Sequence, residues 1–333
     1  MINRQTISLF TKTAGPRSVA IKGQQHLAKL LTHSTPRKLA NWLLAKVQRR
    51  FRTAKAWGYP YHYVVDPINI CVLHCPLCPT GRGALKRSQG KMAFDDFKKL
   101  VDEVAEYAYF LDLYNWGEPF LHPQIFDVIN YASSRNISTR VSTNLNYFDV
   151  GMAEQAVVSG LEELVISLDG ADQETYETYR VGGSLDKVIE NIKSLIKQRE
   201  AYQSPFPLLT IRVLLNRYNE NQLPAIRRPG KQLRVDNVVV APIMVNTDSR
   251  EDMERWLPVN ERHSFYDYQT RQDRTLQKVK ACPYLWESCV ISWEGAEFTQ
   301  NSRRIHATFT RKTFNLRYTG ITVVWLRPQT YFC

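Results

Sequence analysis

From Tyr61 to Pro242, short apolar runs alternate with longer stretches whose apolar residues recur every three to four positions. The short runs are HYVVDPINI (62–70), YFLDLYN (109–115), ISTRVST (137–143), ELVISLD (163–169), LLTIRVLLN (208–216) and NVVVAP (237–242). Brief and rich in β-branched residues, they predict parallel strands buried on both faces. The stretches between them predict helices over Phe94–Tyr107, Pro123–Ser134, Val150–Ser159, Leu185–Arg199 and Glu220–Leu233, with Gly160 as a helix stop and Ser184 as a cap. Six strand–helix units in series predict an α/β fold, because each parallel return needs a crossover. Periodicity leaves a barrel and an open sheet equally available. Both gather ligands at the carboxyl ends of their strands.

Outside this alternation, Thr35–Pro36 starts a basic amphipathic helix running to about Phe51. Leu39, Trp42, Leu43 and Val47 share one of its faces, and Lys46, Arg49 and Arg50 lie towards the other. By composition this helix suits packing on the protein body, contact with an anionic membrane surface, or a transit peptide. Residues 243–281 read as a polar, irregular connector. The expected organisation is a basic N-terminal helical extension (1–58), a core domain (59–245), and a connector with an irregular C-terminal extension (246–333).

The net charge of +12 is unevenly placed. Residues 1–60 carry 12 Lys/Arg and no Asp or Glu, and residues 297–333 carry six against the single Glu297. The intervening body holds 26 basic and 31 acidic residues. A basic footprint confined to the ends disfavours a nucleic-acid binder. No apolar run approaches the ~18 residues of a spanning helix, and MINRQTISLF lacks a signal-peptide pattern. The expected location is the cytoplasm.

Candidate chemistry sits at the strand ends. Cys71-Val-Leu-His-Cys75-Pro-Leu-Cys78 follows the first strand. Three thiolates on one tight loop can hold three irons of a 4Fe–4S cube and leave the fourth open. The competing readings are a zinc knuckle completed by His74 or a remote residue, and inert buried thiols. The second strand leads into Asn115-Trp116-Gly117-Glu118-Pro119, the third ends in Ser142-Thr143-Asn144, and the fourth in Ser167-Leu168-Asp169-Gly170. A carboxylate with exposed carbonyls suits an ammonium group, and hydroxyl and carboxylate groups suit ribose. Each of these is also an ordinary turn composition.

The CxxxCxxC loop, the GEP loop after the second strand and SLDG after the fourth resemble the radical SAM superfamily in order and spacing, over about residues 60–245. The resemblance implies a partial (β/α)6 TIM-type barrel of parallel strands and one 4Fe–4S cluster on Cys71, Cys75 and Cys78. The open iron of that cluster would bind S-adenosylmethionine (SAM). It further implies Leu77 near the adenine, Gly117 and Glu118 at the methionine ammonium, Ser167 and Asp169 at the ribose and Asn144 as a nearby polar contact. Arg180 is implied as a carboxylate partner and Met244 as a border of the adenine. Trp116 stands where the family's GGE form has its first glycine. The chemistry implied is reductive cleavage of SAM to a 5′-deoxyadenosyl radical that takes hydrogen from a substrate. That substrate would be a peptide or another small biomolecule, and the electron donor a flavodoxin or ferredoxin.

Cys282 to Gly295 resembles the opening of a SPASM extension, which carries auxiliary clusters in peptide-modifying members. Gln300 stands where the next cysteine is expected, and Cys333 is the only cysteine beyond it. The extension is therefore expected to be incomplete or altered and to hold no complete auxiliary cluster. The alternative functions are a truncated, inactive homologue and a metal-bearing RNA-binding module.

Overall fold

A computed structural model describes residues 16–53, 56–85, 87–270 and 284–294. The strands are β1 His62–Val65, β2 Phe110–Asp112, β3 Ser138–Thr143, β4 Glu163–Ser167, β5 Leu208–Leu215, β6 Asn237–Pro242 and β7 Ser288–Ile291. The helices are α1 Pro16–Thr32, α2 Pro36–Phe51, α3 Phe94–Val104, α4 Ile125–Ser134, α5 Val150–Val158, α6 Gln173–Tyr179, α7 Leu185–Ala201, α8 Leu223–Gln232, α9 Arg250–Trp256 and α10 Tyr284–Glu287. Among the described residues, no helix is long and apolar enough to cross a membrane.

The chain divides into two compact units, with β3 passing from one to the other. The first comprises Met1–Leu27, Cys71–Ser88 and Val141–Lys278. Its strands run in the order β6-β5-β4-β3, with Ile166 beside Ile211 and Val213 beside Val240 in parallel register. Leu164, Ile166, Leu209, Ile211, Val213 and Val240 are fully buried, as expected for strands covered on both faces. Helices α5 and α7 pack together, α5 presenting Ala153, Ala156 and Val157 and α7 presenting Val188, Ile192 and Leu195. The Ser184 side chain caps α7 at the Lys187 N–H, where it was expected.

The second unit comprises Ala28–Ile70, Gln89–Arg140 and Val279–Cys333. Its strand order is β3-β2-β1-β7, again parallel, with Tyr63 flanked by Leu111 and Cys289. Strand β7 was not expected. It places four buried residues of the presumed extension on the free edge of β1.

Helix α2 begins at the expected residue, with Thr35 as its cap and Pro36 in its first turn. Its orientation overturns the simple amphipathic reading. Lys38, Asn41, Ala45 and Gln48 are the buried positions, while Leu39, Leu43 and Val47 are exposed. The polar face is inward because each buried polar group has a partner. Lys38 Nζ donates to the Asn136 carbonyl (2.6 Å), the Asn41 amide pairs twice with the Tyr59 backbone (2.9 and 2.8 Å), and Gln48 Oε1 accepts from the Gly58 N–H (3.0 Å).

Candidate functional site

Everything from Cys71 to Cys78 lies in one loop of the first unit. The Cys78 N–H donates to the Cys75 carbonyl (3.1 Å), and the Arg82 N–H to the Cys78 carbonyl (2.9 Å), so the loop is a series of tight turns. Gly81 makes the closure possible. A Cβ there would stand 2.6 Å from both the N and O of Cys75, closer than any side chain allows. The Arg82 guanidinium ties the loop down by donating to the Pro76 carbonyl and pairing with Asp252 (2.6 Å).

Cys75 is buried, while Cys71 and Cys78 are half-buried. They rest on an apolar wall of Leu73, Tyr179, Leu214, Ile243, Met253 and Trp256, against which Leu77 also packs. Three of these, with Leu257 and Tyr266, show that part of the expected irregular connector differs from that reading. Helix α9 sends Met253 and Trp256 into the same core cluster as Cys75. The run REDMERW carries only these two buried apolar residues, too few for a periodic signal.

Polar donors are directed at the sulfurs. The Leu73 N–H (3.4 Å) and Asn144 Nδ2 (3.5 Å) donate to Cys71 Sγ, and Arg180 Nη1 (3.6 Å) donates to Cys75 Sγ. Burial pushes the Cys75 thiol up, and the Arg180 charge opposes it. Such donors suit anionic sulfur better than an inert thiol, and hydrogen bonds to sulfur are among the features that set a cluster's potential. Among the described residues, no three His, Cys, Asp or Glu side chains converge as they would on a single metal ion, and His74 is exposed. A cube takes each thiolate to a different iron, and three thiolates on one loop fit that demand.

Asp169 and Arg180 meet each other at the end of β4. Asp169 is fully buried, with one carboxylate oxygen accepting from the Leu214 N–H (2.5 Å) and the other from Arg180 Nε (2.6 Å). Each oxygen accepts one hydrogen bond inside the protein. The carboxylate partner of Arg180 is Asp169 itself. Burial alone would lower the Arg180 guanidinium, but Asp169 and Cys75 hold it well above its ordinary value. A route from β4 to the cysteine loop results: Asp169 orients Arg180, and Arg180 reaches sulfur. Asn219, absent from the sequence reading, steadies this corner by donating to the Asp169 (2.8 Å) and Leu214 (2.9 Å) carbonyls. Ser167 is buried at the end of β4, and Met244 is half-buried just beyond β6.

Gly117 and Glu118 belong to the second unit. A Cβ on Gly117 would lie 2.0 Å from the Ile68 carbonyl oxygen, so this loop packs backbone on backbone. The Glu118 N–H donates to the Ile70 carbonyl (2.8 Å), and its buried side chain caps the 3-10 turn Pro119–Leu121 at the Phe120 N–H (3.3 Å). In the same unit Asp112 on β2 accepts from Arg140 and from His62 Nε2 (2.9 Å). Burial alone would raise the Asp112 carboxyl, but the Arg140 and His62 charges hold it well below the carboxylate range. Of the extension, Cys289 is a buried residue of β7. Cys282, Gly295, Gln300 and Cys333 lie outside the described residues.

Comparison with known proteins gives this arrangement a family likeness. The family model of the Radical SAM superfamily matches residues 65–228. The AdoMet-dependent heme synthase of Methanosarcina barkeri is 28% identical over 136 residues, covering 40% of this chain and 38% of that protein. The PqqA peptide cyclase of Bradyrhizobium diazoefficiens is 24% identical over 197 residues, covering 59% of this chain and 50% of that one. This chain thus spans half or less of the length of these relatives. Among solved structures, Streptococcus suis SuiB bound to precursor peptide SuiA shares the fold, with a TM-score of 0.54 at 14% identity over 75% of this chain and 61% of that one. Over residues 65–228, this chain is thus similar to the radical SAM superfamily.

Proposed function

We propose that this chain is a radical SAM enzyme holding one 4Fe–4S cluster on Cys71, Cys75 and Cys78. The observation that carries the reading is the single tight loop bearing all three cysteines, with Leu73, Asn144 and Arg180 donating to two of their sulfurs. When bound, the cluster and SAM supply reductive cleavage of a C–S bond and a 5′-deoxyadenosyl radical for hydrogen abstraction. The chain's own residues hold and orient. Gly81 and Arg82 fix the loop, and the wall around Trp256 excludes water from its inner side. Leu77 and Met244 offer apolar contact for adenine, Ser167 and Asp169 are assigned to the ribose, and Asn144 is a nearby polar contact. Asp169 also orients Arg180, which is assigned to the methionine carboxylate. Gly117 and Glu118 are assigned to the methionine ammonium.

The substrate proposed is a peptide. The support is that one relative's name is a peptide cyclase and one fold neighbour is bound to a precursor peptide. A low-potential flavodoxin or ferredoxin is the proposed electron source, in a cytoplasmic, reducing setting. Because Cys289 is committed to a buried strand, we assign the chain no complete auxiliary cluster.

Anaerobic reconstitution with iron, sulfide and SAM tests the reading. About four irons per chain and release of deoxyadenosine are expected, both lost in Cys75→Ala. A cluster that forms without SAM cleavage would identify an inactive homologue, and stoichiometric zinc would identify the metal-bearing binding module. Iron near seven or eight per chain, with the excess lost in Cys282→Ala, would overturn the single-cluster assignment.

A further inference from the structure

Helix α2 carries its apolar stripe outward. Leu39, Leu43, Val47 and Phe51, spaced four residues apart, are 46%, 51%, 48% and 72% exposed, and Trp57 just beyond them is 61% exposed. Residues four apart lie along one face of a helix, so this is a continuous ridge. It cannot turn inward. The opposite face is pinned by Lys38, Asn41 and Gln48 through the hydrogen bonds described above, and Ala45 packs against Tyr61 and Tyr109. Lys46 and Arg49, on the flank, both pair with Glu287 (2.8 and 3.0 Å). An apolar ridge held outward by its own polar anchors points to a partner surface.

We propose that this ridge docks the protein on an anionic lipid surface. The charge of the segment selects that partner. Arg50, expected towards the opposite face, lies on the ridge instead, and Arg52 follows at its end, both exposed. Residues 1–60 hold 12 Lys/Arg and no acidic residue. A second copy would bring the same positive charge against itself, and like charges across an interface are disfavoured. An anionic bilayer matches the charge, and its interface accepts apolar side chains to a depth of ~5–10 Å along a helix lying in its plane. Phe51 and Trp57 supply bulk at the end of the ridge, and Trp is enriched at the headgroup level of membranes. The usual arrangement for such a helix has its polar face in water. Here that face is spent on the protein, so the helix acts as a fixed rail between enzyme and bilayer.

The test uses the full chain and sedimentation with vesicles. Wild type is expected to pellet with mixed phosphatidylglycerol–phosphatidylcholine vesicles at low salt, and not with phosphatidylcholine alone. The double change Leu39→Gln/Leu43→Gln should lower the partition coefficient by roughly tenfold or more, since each leucine buries several carbons. Arg50→Glu/Arg52→Glu should lower it comparably, by loss and reversal of charge near the surface. These positions are exposed, and unchanged circular dichroism would verify that the variants fold. Should the leucine variant unfold, the arginine variant alone decides. The proposal is overturned if wild type does not pellet with anionic vesicles, or if a folded leucine or arginine variant pellets as well as wild type. It is also overturned if sedimentation velocity shows a dimer that the leucine change converts to monomer, because the ridge then serves a second copy.

Discussion

The strand layers and helix α2 solve the burial problem in opposite ways. In β4, β5 and β6 most buried positions are Leu, Ile and Val, with Ser167, Thr210 and Asn237 among them, and the backbone groups pair along the ladder. In α2 the buried positions are Lys38, Asn41, Ala45 and Gln48, while Leu39 and Leu43 face outward. The difference lies in what each element meets. A strand between two neighbours needs only apolar side chains on its faces. Helix α2 lies along an irregular run, residues 56–60, whose N–H and C=O groups have no ladder and must be paired by side chains. Asn41 and Gln48 do that for Gly58 and Tyr59. Burial follows the demand for hydrogen bonds where backbone is irregular, and apolarity where it is regular.

The comparison is tested most severely where irregular backbone packs on irregular backbone with no side chain between. Gly117→Ala places a methyl 2.0 Å from the Ile68 carbonyl oxygen. Neither side of that contact is a flexible tip, so the loop must move, at a cost of about 3 kcal/mol or more. Urea denaturation should show a large fall in midpoint, and SAM affinity should fall with it because Glu118 is displaced. A variant as stable as wild type would mean the loop has slack that the packing does not show.

Inside the sheet, Asp112 is a buried charge, and it is tolerated because Arg140 and His62 face it. Asp112→Asn keeps the shape and removes the charge that Arg140 answers. Breaking a fully buried pair costs about 3–5 kcal/mol. The Arg140 side chain remains 32% exposed, so we expect about 2–3 kcal/mol. In acid the sign is definite. The folded carboxyl lies below its unfolded value, so its stabilisation is present at neutral pH and is lost as pH falls through the folded value. Acid unfolding of the variant should therefore be shallower than that of wild type.

These two sites also show what was legible in advance. The β-branched runs identified β1 to β6, because a strand covered on both faces needs nothing but apolar side chains. Thr35 and Pro36 marked the start of α2 because capping is local. The three cysteines were legible because they share one eight-residue loop, and Asn144, 73 residues from Cys71, came from the family resemblance rather than from local sequence. The packing face of α2 was not legible, since it depends on the backbone of residues 56–60. The engagement of Asp169 by the Leu214 N–H was hidden for the same reason: it is set 45 residues away. Helix α6, QETYETY, has no apolar stripe and holds only Tyr176 and Tyr179 in the core. Strand β7, SCVI, is too brief for periodicity to separate it from a loop.

Lys38 sharpens the comparison by pH. Burial lowers its ammonium from 10.5 to about 8, while its hydrogen bond to the Asn136 carbonyl orients it. The unfolded chain therefore binds more protons than the folded one between about pH 8 and 10.5, and stability rises with pH across that window. The gain is on the order of 2 kcal/mol, since a pKa unit is worth ~1.4 kcal/mol and the hydrogen bond offsets part of the burial. Below pH 8 both states are protonated and the contribution is flat. Lys38→Met should remove this rise, read as the difference between two denaturation series over pH 7–10. A rise that survives in the variant would assign the effect to another group.

The smallest expected effect is the most discriminating, because it sets the two faces of α2 against each other. Gln48→Leu makes the helix more apolar at a buried position, which the strand rule would call stabilising. It also strips the buried Gly58 N–H of its acceptor, at a cost of about 1–3 kcal/mol. Leu43→Gln makes the helix more polar at a position 51% exposed, and surface changes of this kind stay within about 0.5 kcal/mol. Urea midpoints with an unchanged slope would read both. If Gln48→Leu is neutral and Leu43→Gln destabilises by more than 1 kcal/mol, the leucine face is the one that packs, and the outward ridge is lost as a docking surface. If the order is as stated, the leucines contribute little to folding. Their sequence spacing then serves a surface outside the fold.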